Sequence, residues 1–83
     1  MRYELTKHAI ESMKEREIAV EWMERTLETP ELIIPDPDDV TVDRYFCRIA
    51  EFGNRVLRVA VNREVEPVRV VSVFFDRNMK GQL

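Results

Sequence analysis

His8, Ser12 and Arg16 recur at i, i+4 and i+8, a spacing that places all three on one helical stripe with Glu15 beside them. An imidazole near a guanidinium suits the chemistry of phosphate esters. The ring can give or take a proton, and the cation can hold the anion. Metal-free cleavage of RNA needs an acid or base for the 2′-hydroxyl and the leaving oxygen, and cations for the charge that builds on phosphorus. His8 with Arg16, Arg58 or Arg48 meets that list. The residues alone favour a plainer reading, in which a single histidine packs near a helix start and bonds a backbone group. Ser72 stands among apolar residues, either to orient a phosphate or as a partly buried hydroxyl with its bond satisfied. Cys47 lies next to Arg48. Strand neighbours point to opposite faces, so a structural cysteine is the better reading. Asp36, Asp38 and Asp39 lack the spacing and glycine of a calcium loop and read as a solvated acidic loop.

These residues need a scaffold. Tyr3 and Leu5 alternate with polar residues as a short extended entry segment. Thr6 suits a helix N-cap, and the helix that follows runs to about Arg16 or Glu17, with Ala9, Ile10 and Met13 as its apolar stripe. A second helix covers about Val20 to Glu28 and ends before Pro30. Leu32-Ile33-Ile34 reads as a short strand. Three more strands are expected, at about Thr41 to Phe52, Arg55 to Asn62 and Val68 to Asp76, with Gly53-Asn54 as a two-residue hairpin turn. Residues 78–83 read as a frayed or partner-bound tail. The expectation is one α+β domain over residues 1–83, with two N-terminal helices packed on a four-stranded antiparallel sheet.

Strand alternation sorts the side chains. Arg44, Phe46 and Arg48 share one face, opposite Tyr45, Cys47 and Ile49. Arg58 and Ala60 lie opposite Leu57, Val59 and Val61. In the last strand Val71, Val73 and Phe75 are assigned to the core, with Val70, Ser72 and Phe74 facing away. One mixed face then gathers arginines, a hydroxyl and aromatics. Arg44 and Arg48 lie along one strand as candidate RNA-backbone contacts.

Hydrophobic residues at 45% and charged residues at 35% suit a folded domain and exclude a disordered chain. One cysteine and one histidine exclude a cysteine zinc cage within the chain, and no cofactor is expected. No segment approaches a bilayer-spanning length and the N-terminus does not read as a signal peptide, so no membrane association and a cytoplasmic location are expected. The net charge of −3 is unevenly spread. Residues 1–43 carry five Lys/Arg against twelve Asp/Glu, and residues 44–83 carry eight against four. The two halves either neutralise each other or leave a basic sheet for RNA or an acidic partner.

Leu5-Thr6-Lys7-His8-Ala9, Met13, Glu15-Arg16, Ile18, Glu21 and Pro30, with Val70-Val71-Ser72-Val73-Phe74 near the end, resemble the DUF4258 family across nearly the whole chain. The resemblance implies the fold of RelE-type toxins and barnase-like ribonucleases. It also implies a toxin that acts as a metal-independent endoribonuclease and pairs with an antitoxin. His8, Arg16, Arg58 and Ser72 are then the catalytic candidates. Ser12 stands where the family commonly has arginine, and Ala19 where it has a serine cap. The alternative is a non-catalytic binding module of the same fold acting through a protein partner. A short domain with exposed sheet edges also suggests a homodimer.

Overall fold

The computed structural model describes residues 1–83. The chain forms β1 (Tyr3–Leu5), α1 (Lys7–Glu15), α2 (Val20–Glu28), β2 (Leu32–Pro35), β3 (Val42–Ile49), β4 (Arg55–Asn62) and β5 (Val68–Phe75), with 3-10 turns at Ala50–Phe52 and Arg77–Met79. No helix is long and apolar enough to cross a membrane.

Local chemistry explains the helix ends. The Thr6 hydroxyl accepts the Ala9 N–H at 3.1 Å and donates to the Val71 carbonyl at 3.0 Å, so one side chain caps α1 and ties it to β5. At the other end Glu17 takes a left-handed conformation at φ 53°. The Ile18 N–H reaches back to the Met13 carbonyl at 2.9 Å and the Glu17 N–H to Lys14 at 3.3 Å. That is a Schellman closure, and its accompanying apolar pair, Met13 and Ile18, is buried in the core. The start of α2 has no side-chain cap, because Ala19 occupies the cap position.

The sheet has five strands in the order β1-β5-β4-β3-β2, and it is mixed. This corrects the four-stranded antiparallel expectation. The entry segment is itself a strand, parallel to β5 with Tyr3 opposite Val68 and Leu5 opposite Val70. Three residues are too few to signal a strand by periodicity. The pairing satisfies a β5 edge that would otherwise be bare, and it lets Tyr3 and Leu5 pack on the core.

Two further expectations change. The β3–β4 connection spans residues 50–54 rather than a two-residue turn. Ala50–Phe52 curls into a 3-10 turn that sets Phe52 against Trp22 and Phe75, at 5.4 and 5.1 Å between ring centres. Gly53 and Asn54, both at positive φ, then close the loop. In β5, Val61 pairs with Val70 while Ala60 pairs with Ser72, so Val71 bulges. The bulge reverses the alternation before it. Val70, not Val71, is fully buried in the core, and Val73 stays there as expected. The tail is also more ordered than expected, since Asp76 caps the Arg77–Met79 turn through the Asn78 N–H at 3.0 Å.

The core lies between the helices and one sheet face, built from Ala9, Met13, Met23 and Leu27 against Tyr45, Ile49, Leu57, Val59, Val61, Val70 and Val73. On the other face Phe46 stands opposite Arg58, which stands opposite Phe74, and Arg44, Ala60 and Ser72 form the adjoining row. The gathering of arginines, a hydroxyl and aromatics on one face is therefore present.

Candidate functional site

The outer edge of β5 is paired by β1 only as far as Val70. Beyond that point α1 lies along the strand on one side and the Arg77–Met79 turn follows its end. Three linked depressions run along this stretch. The first, about 240 Å³, is lined by His8, Glu11, Ser12, Glu15, Arg16 and Phe74. The second, about 400 Å³, shares Arg16 and Phe74 with it and adds Phe52, Arg55, Phe75 and Arg77. The third, about 340 Å³, shares Arg55, Phe75 and Arg77 and adds Val56, Asp76 and Lys80. The second depression shares walls with each of the others, and the three lie in succession as one trench along the strand end.

His8 and Arg16 line the first depression together, as their helical spacing requires. Both are exposed. Ser12 between them is buried, and Arg16 reaches only Glu15, at 4.0 Å. Arg58 comes close from the sheet: its guanidinium lies 4.1 Å from the centre of the Phe74 ring that walls the depression. Ser72 is half-buried, lines none of the depressions, and lies two residues before Phe74, about 7 Å along the strand. Glu15, which the helical spacing already placed beside the stripe, and Glu11, which sequence reasoning did not single out, join His8 there. They put carboxylates and an imidazole in one groove.

The sheet arginines are held by carboxylates. Arg44 Nε donates to Asp36 Oδ2 at 3.1 Å, Arg48 Nε to Glu31 Oε2 at 3.0 Å, and Arg58 approaches Asp76 at 3.4 Å. Burial first, then the Arg44 charge, pushes the Arg58 guanidinium below its ordinary pKa, against the pull of Asp76 and Asp36. Asp36 is held below the usual carboxylate range, chiefly by the Asp38 N–H and also by Arg44. Glu31 is lowered in the same way, chiefly by the Arg48 N–H. The partners come from the ends of β2 and β5, not from the helices, where most of the acidic residues lie. Neither Arg44 nor Arg48 lines the trench.

At the far end of the trench the arrangement is reversed. The Arg55 guanidinium lies 4.8 Å from the Phe52 ring centre and 4.7 Å from that of Phe75, and no carboxylate pairs with it. Arg77 and Lys80 are exposed and also lack an ion pair. Sequence reasoning missed all three. The available signal was the run Phe74-Phe75-Asp76-Arg77 and the arginine that follows the Gly53-Asn54 turn. Cys47 is buried, and burial raises its thiol pKa, which suits a packing role. No group of three or more His, Cys, Asp or Glu side chains is placed to hold a metal ion.

The family described as "Domain of unknown function (DUF4258)" matches residues 5–75. No curated protein and no solved structure matches the chain.

Proposed function

We propose, from the premise that the chain belongs to the DUF4258 family, that it is a metal-independent endoribonuclease of the toxin–antitoxin kind, with His8 and Arg16 at its centre. The observation that carries this reading is the shared groove: an imidazole, two carboxylates and a guanidinium open onto one depression, with Arg58 behind its aromatic wall. These groups match the needs of 2′-hydroxyl attack on a phosphodiester. Glu11, one helical turn from His8, takes the 2′-hydroxyl proton. The 2′-oxygen bonds to phosphorus, the bond from phosphorus to the 5′-oxygen breaks, and protonated His8 delivers its proton to that leaving oxygen. Arg16 stabilises the charge on the equatorial oxygens, with Arg58 supporting from across the Phe74 ring. The products are a 2′,3′-cyclic phosphate and a 5′-hydroxyl. The fold that goes with this reading is the RelE-type architecture, and an antitoxin would then cover the groove.

Induced expression tests it. Wild-type protein should slow growth and leave RNA fragments with cyclic-phosphate ends. His8→Ala should abolish both effects, and Arg16→Ala should lower cleavage by about 100-fold or more. A wild-type protein that neither slows growth nor cuts RNA defeats the proposal.

The pairing of Arg44, Arg48 and Arg58 with carboxylates favours a second reading, a non-catalytic module that works through a protein partner. Co-expression with the product of the adjacent gene separates the two. A chain that, expressed alone, neither cuts nor retains RNA at low salt, yet forms a stable complex on co-expression, supports the module.

A further inference from the structure

We infer that the depression formed by Arg55, Arg77, Lys80 and Phe75 binds a nucleoside phosphate, with the phosphate on the three cations and the base against the aromatic wall. The inference deepens the RNA reading, because the depression continues the groove that holds His8, but its chemistry stands apart from cleavage. Arg55 carries the argument. Two rings lie against its guanidinium, at 4.8 and 4.7 Å, and no carboxylate pairs with it, so its N–H donors have no ionic partner within the chain. An anion is the natural partner for donors held this way, and a side chain already fixed by packing loses little freedom on binding one.

The rest of the depression agrees. Arg77 and Lys80 add two cations that pair with nothing in the chain. The one carboxylate nearby, Asp76, is committed to Arg58 at 3.4 Å and to the Asn78 N–H at 3.0 Å. The volume of about 340 Å³ lies in the range of small-ligand sites. Phe75 in its wall, with Phe52 in the adjoining depression at 39% exposure, supplies the aromatic surface that a bare phosphate or an acidic peptide does not need. The same chemistry is met by a free nucleotide or by one unit of an RNA strand lying along the trench.

Trp22 gives a direct readout. It is the sole tryptophan, and its ring lies 5.4 Å from Phe52 and 6.1 Å from Phe75. Its fluorescence is titrated with adenosine 5′-monophosphate, with a short single-stranded RNA bearing non-cleavable 2′-deoxy linkages, and with a glutamate-rich peptide. Saturable change with either nucleic probe is expected, and Arg77→Ala/Lys80→Ala should weaken it by about tenfold or more. Tighter binding of the strand assigns the site to RNA, and equal or tighter binding of the monophosphate assigns it to free nucleotide. No saturable change with either probe overturns the inference. So does unchanged affinity in the double variant, or equal binding of the acidic peptide. Circular dichroism melting of the double variant confirms its fold, since both side chains are exposed. The cleavage proposal fails separately: loss of cutting with intact nucleotide binding removes the enzyme and leaves the site.

Discussion

Two sets of arginines behave differently in this domain. Arg25, Arg44, Arg48 and Arg58 each meet a carboxylate, whereas Arg55 and Arg77, with Lys80, meet none. The first set joins segments of the fold. Arg25 grips Glu51 through two parallel bonds of 2.9 and 2.8 Å and so holds α2 to the β3–β4 loop, while Arg44 and Arg48 hold the two ends of β2. The second set borders open depressions beside aromatic rings. A cation count does not separate a ligand surface from a structural brace. A counter-charge on a distant segment marks the brace, and its absence beside an open, ring-lined depression marks the candidate surface.

The largest effect should come from reversing two braces. Arg48→Glu/Arg58→Glu sets a carboxylate against Glu31 and another against Asp76, and the Arg58 and Asp76 side chains are only 19% and 13% exposed. The expected loss is about 3 kcal/mol or more. A domain of this size holds roughly 4–12 kcal/mol in all. Circular dichroism melting should therefore show a severely lowered or absent transition, while Arg77→Ala/Lys80→Ala melts within about 0.5 kcal/mol of wild type. A double reversal that melts normally would place the sheet arginines in the ligand-binding set.

Thr6→Ala comes next. It removes both the α1 cap and the partner of the bulged Val71 carbonyl, for a loss of about 1–2 kcal/mol in urea denaturation. Because α1 carries His8 and Arg16, the same change should loosen the trench wall and leave the Arg44–Asp36 and Arg48–Glu31 pairs in place.

Acid should erode the braced set. Arg25 holds the Glu51 carboxyl down to about 2, against an ordinary value of 4.5. Unfolded Glu51 therefore binds its proton at higher pH than folded Glu51. The stabilisation is fully present above about 4.5 and is lost as pH falls towards 2. Glu31 and Asp36 are shifted in the same direction. Melting temperature should fall across that window, and Glu51→Gln should flatten the fall. A pH profile identical to wild type in that variant would show the bidentate pair to be idle.

The smallest effect lies at the end of α1. Glu17 sits at φ 53°, a conformation that disfavours a side chain and suits glycine. Glu17→Gly should stabilise the domain by up to about 1 kcal/mol, read as a rise in denaturation midpoint with an unchanged slope. Destabilisation instead would mean that the Glu17 carboxylate contributes something that outweighs the strain.

The sequence by itself determined what depends on near neighbours. The Thr6 cap, the reach of α2 from Val20 to Glu28, the β4 strand and the alternation of side chains within β3 and β4 all follow from helix and strand periods a few residues long, whereas the register that sets Arg44, Arg58 and Phe74 on one face does not. The shared groove of His8 and Arg16 follows from the same helical spacing. Only the tertiary structure decided what depends on distant partners. β1 is a strand because β5, more than sixty residues later, offers it an edge. Val70 is core because Ala60 and Val61 pair around a bulge. Arg58 is braced because the fold sets Asp76 3.4 Å from it, and Arg55 has no such carboxylate partner. The sequence cannot assign such partners, since a charge several strands away is invisible to any local pattern until the register of the sheet is known.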